Sequence, residues 1–216
     1  MRKGFILLLL AADIGFCLLA VNPVCAQSTL SAIPSREEFV NEVSHVIVDS
    51  SFSVYYLSAD AAPCSFVKYN YDEWIKYALQ EDVPIYILNE LAGKAFDDRR
   101  PGRWRQDSLT KARCIDEEQI GPRLDPAFGL RSDTTMGNRK RQRAIRRRYA
   151  ALNRLPAEQR TVFYFSRPAF TDDGQYAVLD MSYRCDNRQC GEGSTCLFRR
   201  LDSGWKLIGK RVRWGG

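Results

Sequence analysis

The chain has 216 residues, of which 45% are hydrophobic and 27% are charged, a balance typical of a globular protein and not of a disordered one. This length suffices for one domain with a true core or for two small lobes. The formal net charge of +6 favours anionic partners in general, but it does not choose among nucleic acid, lipopolysaccharide and acidic glycans.

The first 26 residues have the pattern of a secretory signal peptide. Two basic residues precede an apolar stretch, 4–21, and Val24 and Ala26 fit positions −3 and −1 of a cleavage site. We therefore expect cleavage after Ala26, export to the periplasm or extracellular space of a bacterium, and a mature chain without a transmembrane span. An uncleaved membrane anchor is the alternative, although Asp13 interrupts the apolar stretch.

Residues 27–137 are predicted to form a mainly helical part. Ser35-Arg36-Glu37-Glu38 is a capping box, and the apolar residues after it recur on one helical face. Further helices are predicted over 72–80 and from Pro84 onwards, with a short strand at 53–58 and a second one within 108–115. The turn-rich segment 125–137 marks the boundary with the next part.

Residues 138–216 begin with a strongly basic helix. Seven of the ten residues from 139 to 148 are Arg or Lys, and Ile145, Tyr149 and Leu152 repeat at helical spacing. The candidate binding residues are Arg143, Arg146 and Arg147. They could dock on lipopolysaccharide phosphates, anionic lipid or an acidic protein. The favoured interpretation is a solvated face that balances acidic loops such as 97–98 and 116–118. Nucleic-acid binding is not expected, because no nucleic-acid module is recognised.

Four strands are predicted after the basic helix, at 161–170, 175–185, 195–201 and 205–214. The second alternates Ala177, Leu179, Met181 and Tyr183 with Asp180, Ser182 and Arg184, a pattern typical of a sheet with one buried face. The predicted fold class is therefore α+β, with a mainly helical N-terminal part packed on a C-terminal four-stranded antiparallel meander as one compact domain.

Five cysteines follow the predicted cleavage site. Cys185 and Cys190 flank a short polar loop and are expected to form a disulfide; Cys64 and Cys114 are the most natural second pair, which leaves Cys196 unpaired. Cys185–Cys196 is the rival pairing. A zinc site made of the last three cysteines is conceivable, but no histidine lies near them, and an oxidising compartment favours disulfides. No metal and no cofactor are predicted.

The C-terminal strands resemble a pattern seen in exported bacterial proteins of unknown function. The resemblance rests on Phe165-Ser166-Arg167-Pro168-Ala169-Phe170, Tyr176-Ala177-Val178, Cys185, Cys190-Gly191-Glu192-Gly193, Gly204-Trp205-Lys206-Leu207 and Trp214. It covers about half of the mature chain, with 83–98 as a further similar stretch. The resemblance implies export and a β-rich fold, and it implies no catalytic residue.

Other residues offer weaker hints of chemistry. Arg184 and Glu192 border the predicted disulfide loop and are candidate binding residues. His45, the single histidine, is a possible general base but is more typical of a half-buried helix residue. We expect a non-enzymatic binding module with an anionic envelope component or another exported protein as its partner. The alternative is a hydrolase of envelope material that uses carboxylates from different elements, and a toxin, immunity or effector protein is a third possibility.

Overall fold

The computed structural model describes residues 32–66, 71–125, 127–131, 133–185 and 190–215. The expected signal peptide and the loop 186–189 lie outside these ranges. The helices are α1 (Arg36–Ile47), α2 (Tyr71–Gln80), α3 (Ile85–Asp97), α4 (Glu117–Leu124), α5 (Asn138–Leu152) and α6 (Ala157–Arg160), with a 3₁₀ turn at Gln106–Ser108. The strands are β1 (Tyr55–Ser58), β2 (Asp60–Ala61), β3 (Gly102–Arg103), β4 (Ala112–Ile115), β5 (Thr161–Phe165), β6 (Ala169–Phe170), β7 (Tyr176–Cys185), β8 (Gly191–Leu201) and β9 (Gly204–Gly215).

Helix α1 begins at the capping box that the sequence predicts. The Ser35 hydroxyl accepts from the Glu38 N–H at 3.2 Å, and the Ser35 N–H donates to the Glu38 carboxylate at 2.7 Å. Two of the N–H groups that a helix leaves without an internal partner are satisfied in this way. Helices α2, α3 and α5 also occur where they were predicted. The short helices α4 and α6 were missed, because segments of eight and four residues carry little periodicity.

Seven strands form one mixed sheet in the order β4-β1-β5-β7-β8-β9, with β6 paired to β7. β1 runs parallel to both β4 and β5, whereas β5, β7, β8 and β9 are successive antiparallel neighbours. The prediction of a four-stranded meander on a helical N-terminal part is therefore wrong. The two strands predicted within the helical part, at 53–58 and within 108–115, occur as β1 and β4 and belong to the same sheet as the C-terminal strands. Parallel pairing joins segments that are distant along the chain, and local sequence patterns do not report it.

Helices cover both faces of this sheet. On β7, Leu179 packs into the cluster formed with α1, and this side of the sheet is called the first face. Val178 packs into the cluster formed with α2 and α3 on the opposite side, which is called the second face. A smaller cluster on the second face joins Ile120 of α4 to Val162 of β5. The expected single buried face is thus also wrong, because the even-numbered residues of β7 lie under helices at one end. Within the described ranges, no helix has the length and apolarity needed to cross a bilayer.

Phe39 of α1 holds the first face together. Its side chain is fully buried and makes edge-to-face contacts with Phe170, Phe198 and Trp205 at centroid distances of 5.2, 5.4 and 5.0 Å. Such contacts add to the hydrophobic gain of burial, so truncating Phe39 to Ala is expected to cost about 3–5 kcal/mol. The packing of this first face holds the strands in place, and the opposite face of the same strands carries the pockets described below.

Candidate functional site

Two pockets, together called the groove, lie on the face of the sheet that packs against α2, α3 and α4. Its central pocket encloses about 310 Å³. The polar side chains that line this central pocket are Asp60, Ser65, Tyr164, Asp180, Ser182, Arg213 and Ser166, the last of which directly follows β5. They come from β5, β7, β9 and the segment after β1, so only the folded sheet brings them together. A lining of hydroxyls, carboxylates and a guanidinium suits a polar ligand.

Asp180 forms the floor of the central pocket. The residue is 5% exposed and stands at the centre of β7, between the buried residues Leu179 and Met181. Its Oδ2 accepts hydrogen bonds from the N–H and the hydroxyl of Ser65, both at 2.5 Å, and its Oδ1 accepts from the Thr195 hydroxyl, also at 2.5 Å. A buried carboxylate is costly unless it is hydrogen-bonded and paired, and these donors meet that requirement.

Arg213 completes the cluster around Asp180. Its Nη1 lies 3.7 Å from Asp180 Oδ2 and donates to the Ser65 hydroxyl at 2.8 Å. Arg213 reaches the pocket through a β-bulge, since Gly193 pairs with Trp214 whereas Ser194 pairs with Val212. The extra residue lies outside the ladder, and bulges commonly redirect a side chain in this way.

Asp60 stands on the rim of the same pocket. It is the first residue of β2, two residues after the end of β1, while Ser166 directly follows the parallel strand β5. The pocket therefore opens beside the carboxyl ends of two parallel strands. Ligands of open α/β sheets commonly bind at such ends. The Asp60 side chain is 65% exposed and lies 3.7 Å from Arg103 Nη1. Two carboxylates from different elements thus line one pocket, one of them exposed and the other saturated by donors.

A second pocket of the groove, of about 480 Å³, lies next to the central one and is built around Trp214. The indole lies flat on β8, where a Cβ at Gly193 would overlap the ring and a Cβ at Gly191 would be 3.1 Å from Trp214 Cζ3. Both glycines lie in β8 and have no positive φ. The close approach of the ring explains Gly193, and the ring together with the Tyr183 carbonyl oxygen explains Gly191.

The structure separates the two binding residues predicted beside the disulfide loop. Arg184 lines the Trp214 pocket, with its guanidinium carbon 5.6 Å from the centroid of the Tyr164 ring. Glu192 lies on the opposite face, because side chains alternate along β8. There its carboxylate accepts hydrogen bonds from the Lys210 ammonium and the Ser194 hydroxyl, both at 2.6 Å. These bonds lower the pKa of Glu192, and the bond from Lys210 has the larger effect. Glu192 therefore takes no part in the groove.

Cys185 and Cys190 form the disulfide that was expected, and they line the Trp214 pocket. Cys64, Cys114 and Cys196 are free thiols, so neither the Cys64–Cys114 pair nor the rival Cys185–Cys196 pair is present. The sheet itself separates the second predicted pair, since Cys64 packs with α2 and α3 whereas Cys114 packs against the α1 cluster. Among the described residues, no three His, Cys, Asp or Glu side chains are grouped as metal ligands.

His45 is exposed on α1, and its Nδ1 lies 2.5 Å from the carbonyl oxygen of Glu42. The expected half-buried position is therefore wrong. The groove and His45 belong to opposite faces of the sheet. A site that couples this imidazole to Asp180 is consequently ruled out by the fold.

Five of the six arginines of the basic helix α5 are exposed, whereas Arg141 is partly buried and donates to the Met136 carbonyl oxygen at 2.9 Å. Arg143, Arg146 and Arg147 are exposed and have no ion pair with any residue that the structure describes. The acidic loops predicted to balance them have other partners. Asp98 pairs with Arg36 at 2.8 Å and with Arg167 at 2.7 Å, and Asp116 pairs with Arg103.

The central pocket was missed by sequence reasoning, which placed Asp180 on a solvent-facing side of its strand. A signal was present, because Asp is depleted in strands and is rarely buried without partners. Comparison of the chain with protein families, with curated proteins and with solved structures finds no match. The geometry of the groove and of α5 therefore carries the functional argument.

Proposed function

We propose that this protein is a non-enzymatic binding module of the bacterial envelope or extracellular space, and that its groove binds a hydroxylated, anionic ligand such as an envelope glycan. The observation that carries the proposal is the Asp180 cluster. Its carboxylate is held by Ser65, Thr195 and Arg213, so it serves as a fixed anchor of the pocket. A pocket that is rigid and polar before the ligand arrives loses little entropy on binding.

The groove combines the contacts that such a ligand needs. The Trp214 side chain is 43% exposed, and its indole offers an apolar surface on which a sugar ring can stack. Arg184 and Arg213 supply donors for carboxylate or phosphate groups. Burial raises the pKa of Tyr164, so its hydroxyl stays protonated and can donate to a ligand oxygen.

Co-sedimentation with purified peptidoglycan sacculi tests this proposal. We expect the protein to pellet with sacculi, and we expect Trp214→Ala and Arg184→Gln each to weaken retention by about tenfold. Val212→Ala is the matched control, because this exposed residue of β9 lies outside the pockets of the groove. Equal retention of Trp214→Ala and Val212→Ala would contradict a ligand site in the groove.

A hydrolase is the second candidate, and one observation favours it: Asp60 and Asp180 line the same pocket. In that case the exposed Asp60 is the group free to exchange a proton. Release of soluble fragments from sacculi by the unmodified protein, abolished in Asp60→Asn, would replace the binding proposal with hydrolysis.

Export remains part of the proposal. It is supported by the leader pattern of residues 1–26 and by a disulfide, which is typical of oxidising compartments. N-terminal analysis of the protein recovered from its native host is expected to begin at Gln27. An intact Met1 in that material contradicts cleavage.

A further inference from the structure

The net positive charge of this protein is concentrated in one helix. The fifteen residues of α5 include seven Arg or Lys and no Asp or Glu, whereas the whole chain carries +6. The rest of the chain is therefore close to neutral, at −1. Such an asymmetric distribution orients a protein in an electric field and steers α5 towards an anionic surface.

Five of these cations lie on a single arc of α5. At 100° per residue, Arg139, Lys140, Arg143, Arg146 and Arg147 fall within about 120° of the helix circumference. All five are exposed. The opposite side holds the groups that attach α5 to the protein, among them Leu152, which is buried, and Tyr149, whose hydroxyl donates to Asp125 at 2.9 Å. The arc therefore faces outward as one cationic strip.

This strip is unfavourable for the helix that carries it. Arg139 and Arg143, and likewise Arg143 and Arg147, are like charges four residues apart, which destabilises a helix. The cations at the N-terminal end also oppose the positive end of the helix dipole, and the first turn contains no acidic residue to offset them. Residues that work against local stability are characteristic of functional surfaces.

We propose that the cationic strip of α5 docks on a bilayer surface rich in anionic phospholipid. Two features of the strip point to this partner: its positive charge complements anionic phosphates, and it lacks large apolar side chains. The only uncharged residue in the arc is Ala150, so the strip can meet a plane of phosphates but cannot insert into hydrocarbon. Each Lys or Arg held at such a surface strengthens partitioning by about fivefold. The inference is independent of the groove ligand and would place the groove next to a membrane.

Vesicle co-sedimentation tests the proposal. The probes are vesicles of phosphatidylcholine alone and vesicles with 40% phosphatidylglycerol, each at about 50 mM and 300 mM salt. We expect binding to the anionic vesicles only, weaker at the higher salt because screening shortens the range of the field. The triple variant Arg143→Gln, Arg146→Gln, Arg147→Gln is expected to lose roughly a hundredfold in partitioning. The corresponding triple lysine variant, which keeps the charges, is expected to retain binding.

A charge-matched control separates the strip from net charge. Lys76→Gln, Arg100→Gln and Lys206→Gln together remove three exposed cations outside α5, and this variant is expected to bind within twofold of the unmodified protein. The α5 triple glutamine variant is also expected to melt at the same or a higher temperature, since it removes repulsion. Equal losses in the two triple variants, or no binding to phosphatidylglycerol, overturn the proposal. Tighter binding to an acidic peptide or a DNA duplex than to vesicles overturns the choice of partner. Trp214→Ala changes only the groove, so failure of the groove proposal and failure of this one can be told apart.

Discussion

Asp180→Ala tests the structural reasoning about the central pocket most directly. The substitution removes the acceptor of the Ser65 N–H, the Ser65 hydroxyl and the Thr195 hydroxyl, and it leaves the Arg213 guanidinium without its carboxylate. Asp180 is 5% exposed, so water cannot fully replace these contacts. Breaking a buried, hydrogen-bonded charge pair from one side typically costs about 3–5 kcal/mol.

Asp180→Asn separates the lost charge from the lost hydrogen bonds. The amide oxygen can keep the Ser65 donors, and the amide NH₂ can donate to the Thr195 hydroxyl, which is able to accept. Only the charge facing Arg213 is then missing. We expect a loss of about 1–2 kcal/mol, smaller than that of the alanine variant. Asp172→Asn is the matched control, because its side chain is 79% exposed and an ion pair in solvent, such as the one with Lys94, adds little to stability.

Urea unfolding of the three variants measures these differences in the free energy of unfolding. A shift of the urea midpoint at an unchanged m value reports a change in stability. The order Asp180→Ala, Asp180→Asn, Asp172→Asn, from most to least destabilised, is the expected result. An Asp180→Ala protein within about 0.5 kcal/mol of the unmodified one would refute the view that this carboxylate is a buried anchor.

Three further predictions concern other parts of the molecule. Gly193→Ala introduces a Cβ that overlaps the Trp214 ring, so we expect a loss of about 1–3 kcal/mol, and much less in a Trp214→Ala background; equal losses in both backgrounds contradict the close approach. Gly204 has φ +111°, and a Cβ there would lie 2.5 Å from Glu42 Oε1, so Gly204→Ala is expected to lower the melting temperature whereas Gly93→Ala, which meets no neighbour, is not. Burial raises the pKa of Cys196 to about 12 from its ordinary 9.0, and it raises the pKa of Cys64 as well. Because these thiols ionise first in the unfolded chain, stability is expected to fall above about pH 9. Cys196 contributes about 1.4 kcal/mol for each pH unit of that fall, so Cys196→Ala should make the slope shallower by this amount in urea titrations.

Much of the local structure follows from the sequence. The Ser35 capping box starts α1, the 3.6-residue period defines α5, and alternation marks β7. These signals depend on neighbours within a few residues, whose backbone hydrogen bonds and side-chain directions are set by short-range geometry. The Cys185–Cys190 disulfide belongs to the same class, because it closes a short loop.

Only the tertiary structure decided where these elements meet. Parallel pairing of β1 with β4 and β5 brought Asp60 beside Asp180, and a bulge in β9 directed Arg213 to the same carboxylate. The same sheet placed Cys64 and Cys114 on opposite faces. Among the residues that the structure describes, Arg143, Arg146 and Arg147 of α5 have no acidic partner. Long-range pairing is settled by the burial of whole surfaces and the satisfaction of buried charges, and these quantities exist only once the chain is folded.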